Sequence, residues 1–154
     1  MNVVGAILAG LAGTAAMTML MYVAPLMGMP KMDIVRMLGS MFTSTRGVAT
    51  GQGTVSDSNQ GLTIGLGLMI HFMMGAVFAL IYALLWSLGI GSATWLWGLI
   101  FGLVHGMMAI AMMPLMMRMH PNPPQMAGGP LVMAGQLMGH MVYGLVVALV
   151  YSVF

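Results

Sequence analysis

Four long apolar stretches divide the chain, and each runs for at least 20 positions without a charged residue. They cover residues 3–27, 62–86, 94–117 and 131–153. An α-helix rises about 1.5 Å per residue, so roughly 20 apolar residues match the hydrocarbon core of a bilayer. The pattern therefore predicts an all-α polytopic membrane protein, with four transmembrane helices in one membrane domain over residues 1–154.

The first connection is long, and its two parts differ in character. In residues 31–42 the charged positions Lys31, Asp33 and Arg36 lie largely off one apolar face. This predicts a short amphipathic helix, either at the membrane surface or folded as a cap over the bundle. That face contains Met32, Val35, Met37, Leu38, Met41 and Phe42. Residues 43–61 are rich in Gly, Ser and Thr and are predicted to form a flexible loop.

The second and fourth stretches share the frame Leu-Met-x-His-x-x-x-Gly-x-x-x-Ala-Leu-x-Tyr, which starts at Leu68 and again at Leu137. The first and third match more weakly, through Pro25-Leu26-Met27 and Pro114-Leu115-Met116. We interpret this as a duplicated helical hairpin with parallel repeats. Chance similarity between helices rich in Gly, Ala, Leu and Met is the alternative.

Small residues recur at helical spacing along these stretches. In lipid, helices associate through close backbone approach, so such rows are predicted to face neighbouring helices. The predicted packing positions are Gly67, Gly75, Ala79, Gly98, Gly102, Gly106, Gly144 and Ala148.

Three histidines, His71, His105 and His140, lie within the apolar stretches. From the rise per residue, they are about 10–18 Å from the membrane face of the first and third connections, roughly in one layer. They either fix helix packing through hydrogen bonds, with Gln136 among the partners, or bind a haem b or a metal ion. A proton path is less favoured, because no carboxylate lies within the four stretches.

Methionine is abundant, with 23 residues, and several crowd the end of the third stretch. Thioether and imidazole groups suit Cu(I), so this cluster is a candidate copper site. The alternative is that methionine serves throughout as an adaptable apolar side chain. The candidate ligands are Met112, Met113, Met116, Met119 and His120.

Charge and composition narrow the function classes. The chain is 60% hydrophobic and 4% charged, which favours a bilayer over water as its solvent. It has no cysteine and four basic residues, too few for a nucleic-acid-binding surface. It also lacks the nucleotide-loop, zinc-protease and acidic-pair signatures of common enzymes.

Basic residues also predict the orientation. Lys31, Arg36 and Arg46 lie in the first connection and Arg118 begins the third, which the positive-inside rule places in the cytoplasm, with both termini outside. Trp86, Trp95 and Trp97 flank the short second connection and are predicted to form an aromatic belt at the outer interface.

An ordered set of motifs carries a family resemblance: Gly10-x-x-Gly13-Thr14-x-x-Met17, Met27-Gly28-Met29-Pro30-x-Met32-Asp33-Ile34, Met37-Leu38-Gly39-Ser40-Met41, His71-Phe72-x-x-Gly75, Met113-Pro114 and His140-x-x-Tyr143-Gly144. With these, nearly the whole chain resembles a family of small four-helix bacterial membrane proteins of unknown function. The resemblance implies the fold and assigns no activity, ligand or site residue.

The sequence thus predicts a non-catalytic accessory or scaffold subunit of a larger membrane complex, for example a respiratory or photosynthetic one. Its expected location is the bacterial inner membrane. The expected partners are the lipid bilayer and other membrane subunits or further copies of the chain, with no resident cofactor. The alternatives are a haem- or copper-binding membrane protein and a small transporter.

Overall fold

The structure is a computed structural model that describes residues 1–43, 57–121, 123 and 128–154. These residues form helices joined by turns, and no strand occurs among them. The helices are α1 (Val3–Val23), α2 (Ile34–Thr43), α3 (Asp57–Ser87), α4 (Trp95–Met119) and α5 (Pro130–Tyr151). A single turn of 3-10 helix, Ala24–Met27, extends α1.

Four of these helices are long and apolar enough to cross a membrane, which confirms the predicted all-helical fold with four spans. Their candidate spans contain 22 to 28 residues with mean hydropathy from 1.6 to 2.2. The largest difference from the expected boundaries is at α3, which begins at Asp57. Residues 57–61 are therefore helical rather than part of a loop, while residues 44–56 of the expected loop lie outside the described residues.

Local capping explains where several helices begin and end. The Asn2 side chain accepts a hydrogen bond from the Gly5 amide at 2.9 Å, which satisfies one of the free donors at the start of α1. The turn after α1 contains Pro25 and ends at Gly28, whose φ of 83° is the left-handed conformation that glycine adopts readily. Pro130 occupies the first turn of α5, where no amide donor is needed.

The helices pack in the order α3, α1, α5, α4. α1 packs against both α3 and α5, and α4 packs against α5. The fourth possible neighbour pair, α3 and α4, lies farther apart. It is bridged by side-chain contacts such as Phe78 with His105, whose ring centroids are 3.9 Å apart, and Tyr82 with Phe101, at 5.0 Å.

Glycines allow the close pairs to approach backbone to backbone. A Cβ atom added at Gly10 of α1 would lie 2.7 Å from the carbonyl oxygen of Gly75 in α3. A Cβ at Gly98 of α4 would lie 2.6 Å from the carbonyl oxygen of Gly144 in α5. Gly75 and Gly144 occupy equivalent places in the shared frame, so the two hairpins cross at matching positions. All eight small residues expected to pack are buried.

Helix α2 is a cap over the bundle, because it lies directly on α3. A Cβ at Gly39 of α2 would collide with the carbonyl of Thr63, and one at Gly67 with the carbonyl of Val35. Two details differ from the expected amphipathic pattern. Phe42, placed on the apolar face, is 70% exposed, and Asp33, placed off it, is buried.

Asp33 is buried because it caps α2 rather than lying within it. Its Oδ1 accepts a hydrogen bond from the Arg36 amide at 3.0 Å, and its Oδ2 lies 3.2 Å from Arg36 Nε. An aspartate at this position satisfies a free amide and complements the positive end of the helix dipole. The helix therefore starts at Ile34, three residues later than the expected start at 31.

Candidate functional site

A cavity of about 350 Å³ lies inside the bundle, in the half next to α2. Residues from all five helices line it, together with the turn after α1. The helix segments involved are the C-terminal halves of α1 and α4, the middle of α3 and the N-terminal part of α5. Its volume falls within the range of small-molecule sites in proteins.

Aromatic side chains close the opposite half of the bundle. Tyr82, Trp86 and Tyr143 are buried there, with Phe101 and Tyr151 packed against them. The expected position of Trp86 in an outer aromatic belt is therefore wrong. It lies one turn after Tyr82 on the inward face of α3, with its ring centroid 5.6 Å from that of Tyr151.

The three intramembrane histidines all line the cavity. The ring centroids of His105 and His140 are 4.7 Å apart, in an edge-to-face arrangement. His71 reaches the same cavity from α3. The small-residue rows on α3 and α5 explain the positions of His71 and His140, since each lies in the row that its helix turns toward its neighbours. His105 lies beside the buried glycines of α4.

The hydrogen bonds of the three rings differ. His140 Nδ1 lies 2.8 Å from the carbonyl oxygen of Gln136 and must donate to it, because a carbonyl can only accept. In neutral His140 this leaves Nε2 as an acceptor. His105 Nδ1 lies 3.2 Å from the Tyr82 hydroxyl. His71 Nε2 is buried and has no hydrogen-bond partner among the described residues.

These rings do not assemble into a metal site with other ionisable ligands. Among the described residues, no group of three or more His, Cys, Asp or Glu side chains is placed to hold a metal ion. Gln136, the remaining candidate ligand, lines the cavity, and its main-chain carbonyl already accepts from His140.

The candidate copper ligands are divided between two places. Met112, Met113 and Met116 line the cavity, whereas Met119 is 70% exposed at the end of α4. His120 lies beyond the helix in extended backbone and is buried against α2. Its Nε2 is 3.1 Å from the Ser40 hydroxyl and 3.2 Å from the Met37 carbonyl oxygen, so it ties the end of α4 to α2.

Methionine contributes more of the cavity wall than the sequence pattern had indicated. Eight lining methionines lie outside the cluster at the end of α4, and the helical spacing of Met108, Met112 and Met116 was the signal available for part of the set. Thioether side chains are flexible and polarisable, so such a wall can adapt to the shape of a ligand. The lining methionines are Met17, Met21, Met29, Met32, Met37, Met74, Met108, Met112, Met113, Met116 and Met138.

On the sides formed by α3 and α4, the two helices that lie farther apart, the cavity wall includes exposed side chains. Met74 on α3 and Met108 on α4 both line the cavity, and both are exposed. The contact of Phe78 with His105 bounds this gap on the side of the aromatic cluster. The link from His120 to α2 bounds it on the other side. Both helices are long and apolar enough to span a membrane, so an opening between them would face lipid.

Comparison with known proteins gives one family assignment. Neither the curated proteins nor the solved structures contain a match to the chain. A family model does match, and it covers residues 1–154, the full length of the sequence. The four apolar helices and the cavity between them are therefore features of a chain that belongs to the family of unknown function DUF6789.

Proposed function

We propose that this protein is a non-catalytic membrane-embedded binding protein, whose cavity takes up a small lipophilic molecule from the bilayer. The observation that carries the proposal is the cavity of about 350 Å³ inside the four-helix bundle. Its wall includes the exposed side chains of Met74 on α3 and Met108 on α4, and we place its opening between them. A ligand that partitions into lipid can reach this opening without crossing water.

Binding from lipid needs a driving force other than the hydrophobic effect, because lipid tails are as apolar as the cavity wall. The wall offers two such forces. Its methionines provide close dispersion contacts with a ligand of fitting shape. Its three histidines provide hydrogen-bonding groups that lipid tails lack.

The lining residues also favour binding over catalysis. They include no Asp, Glu, Ser or Cys, so the described wall has no carboxylate base and no thiol nucleophile. The Thr14 hydroxyl donates a hydrogen bond to the Gly10 carbonyl oxygen and has no base beside it. The imidazoles and the Tyr143 phenol are its remaining titratable groups.

The test is chemical extraction of the purified protein. Protein in mild detergent or lipid nanodiscs is extracted with organic solvent, and mass spectrometry identifies any lipophilic molecule present in a fixed ratio to the chain. Ala109 lines the cavity, so Ala109→Phe should displace that molecule. Ala15 on α1 is exposed and serves as the control, since Ala15→Phe adds the same ring to the lipid-facing surface. Equal occupancy in both variants would exclude the cavity as the binding place.

A role as an accessory subunit of a larger membrane complex is the second proposal. Gly61 and Gly65 lie one turn apart on an exposed face of α3, and a Cβ at either would meet no atom within 4 Å. Small residues at membrane-helix surfaces favour contact with another helix. Isolation in mild detergent should therefore recover the chain with other membrane subunits or as a homo-oligomer, and recovery as a lone monomer argues against this role.

The proposed location is the inner membrane of a bacterial cell, with α2 and the α4–α5 connection in the cytoplasm. The basic residues support this orientation, because three lie in the first connection and the fourth, Arg118, lies in the last turn of α4 next to the third connection. The cavity then lies in the cytoplasmic half of the bilayer, and the aromatic cluster closes the outer half.

A further inference from the structure

We propose that the lipophilic ligand belongs to the isoprenoid-quinone class, with a flat conjugated head and a ring oxygen held by His71. This inference rests on the proposed binding function and specifies its ligand.

His71 has an unpartnered polar atom in the cavity wall. Its side chain is 7% exposed, lines the cavity, and has an Nε2 atom without a hydrogen-bond partner among the described residues. Buried polar atoms in folded proteins nearly always have a partner, so an orphan at a cavity wall indicates a ligand atom that completes it. A carbonyl or hydroxyl oxygen on the ligand provides that partner.

His140 provides a second hydrogen-bonding position, and its Nε2 atom can be assigned as an acceptor. Its Nδ1 donates to the Gln136 carbonyl, which leaves Nε2 of the neutral ring able to accept. An accepting nitrogen suits a ligand hydroxyl, whereas the Nε2–H tautomer of His71 suits a ligand carbonyl. The reduced form of a quinone fits both positions, because one of its hydroxyls donates to His140 Nε2 while the oxygen of the other accepts from the Nε2–H of His71. In the oxidised form a ring carbonyl accepts from His71 alone.

The wall fits a flat, uncharged head. Methionine sulfur makes favourable contacts with conjugated rings, and Phe78 and Tyr143 add aromatic surface at the closed end of the cavity. No Lys, Arg, Asp or Glu is among the lining residues. A lipid phosphate or the two propionates of a haem would therefore enter without a side chain of opposite charge, which is costly in this surrounding.

The opening fits the remaining part of such a molecule. An isoprenoid tail is longer than the cavity is wide, so it must leave the protein on a path that stays in lipid. The gap between α3 and α4, with Met74 and Met108 at its edges, provides that path. The head would lie among the three histidines while the tail extends into the bilayer.

The experiment titrates the protein in nanodiscs with ubiquinone-1, a short-tailed probe, and follows tryptophan fluorescence quenching and the change in melting temperature. We expect saturable binding with one site per chain. His71→Leu should weaken it roughly tenfold, the size expected for loss of one buried hydrogen bond. His71→Gln, which keeps a donor, should recover part of the affinity. Ala15→Phe is the control and should bind as the unmodified chain does.

Melting without probe separates ligand binding from a structural role. Because His71 Nε2 has no protein partner, His71→Leu should leave the melting temperature of the empty protein unchanged or raise it. A fall in that temperature together with unchanged probe affinity would overturn the assignment of His71. Stoichiometric Cu(I) binding that His71→Leu abolishes, with no quinone binding, would overturn the ligand class.

The failure of this inference is distinguishable from failure of the proposed function. If extraction recovers another lipophilic molecule that Ala109→Phe displaces and ubiquinone-1 does not compete with it, the binding function stands and the quinone assignment falls. If neither extraction nor titration finds a cavity-dependent ligand, both fall.

Discussion

The hydroxyl of Tyr143 donates a hydrogen bond to the main-chain carbonyl oxygen of Gly75, with the two oxygens 2.6 Å apart. This bond joins α5 to α3 where both helices pack against α1. Gly75 is also the residue at which α3 comes closest to Gly10. The Tyr143 hydroxyl therefore connects α5 to α3 at the point where α3 contacts α1, at the closed end of the cavity.

Tyr143→Phe should lower the free energy of unfolding by about 1 kcal/mol, since it removes one buried hydrogen bond and leaves the ring packing in place. Denaturant titration in mixed detergent micelles measures this change. Tyr22→Phe is the matched control, because Tyr22 lies on an exposed part of α1 and should show no comparable loss. Equal stability of the two variants would mean that the bond to Gly75 contributes nothing.

Gly75→Ala and Gly65→Ala place the same methyl group on one helix in two different surroundings. At position 75 the new Cβ would collide with Thr14 Oγ1, so either Thr14 rotates and loses its hydrogen bond to the Gly10 carbonyl, or α1 and α3 separate. We expect a loss of about 1–3 kcal/mol, typical of overpacking. At position 65 no atom lies within 4 Å, and alanine should be neutral or stabilising by up to roughly 1 kcal/mol. Parallel unfolding titrations of the two variants test the difference, and similar values for both would contradict the described contact between α1 and α3.

His120 and Ser40 should act as a coupled pair. Ser40→Ala and His120→Ala each remove the contact between the α4 end and α2, so the double variant should lose less stability than the two single losses combined. A coupling of at least about 0.5 kcal/mol is expected for residues in contact. Ser152→Ala with His120→Ala is the uncoupled control, because the Ser152 hydroxyl bonds only to the nearby Leu149 carbonyl in the described structure. If the losses of stability in Ser40→Ala and His120→Ala add up to that of the double variant, the contact between Ser40 and His120 does not contribute to stability.

The same link predicts a change in the motion of α2. In His120→Ala, the amides of α2 should exchange with solvent deuterium faster than in the unmodified chain, because α2 loses its connection to α4 and keeps the one to α3. Amides of α5 serve as the internal reference and should exchange at unchanged rates. Hydrogen-exchange mass spectrometry reads both from a single sample.

The proposed orientation can be tested with single cysteines, since the chain has none of its own. Lys31 and Ser92 are exposed at opposite ends of the bundle. In intact cells, a membrane-impermeant maleimide should label Ser92→Cys after outer-membrane permeabilisation, and it should label Lys31→Cys only after the inner membrane is opened. The reverse order would invert the proposed topology.

The spans and their contacts were predictable because they depend on local properties of the sequence. A run of twenty apolar residues without charge predicts a membrane span from the local sequence alone. A row of glycines in such a span predicts a helix–helix contact. The start of α3 was missed because the helix continues beyond the apolar part into the polar residues 57–61.

The site was less predictable because it depends on distances between helices. The three histidines could be placed in one layer from their positions along the chain. The tie between His120 and Ser40 spans 80 residues and leaves no local pattern. Trp86 lies near the end of a span, as interfacial tryptophans do. Its burial depends on the rotation of α3 within the bundle, which brings it against Phe101 and Tyr151. The cavity itself follows from the separation of α3 and α4.

If the two hairpins arose by duplication, a symmetric ancestor would have had two identical seams between them. In this chain one seam, between α1 and α5, is shut along its length by contacts such as that of Gly13 with Val147. At the other seam, α3 and α4 lie farther apart and are bridged by side-chain contacts. The two faces of the bundle therefore differ, and only the face between α3 and α4 leaves space for the proposed ligand to enter.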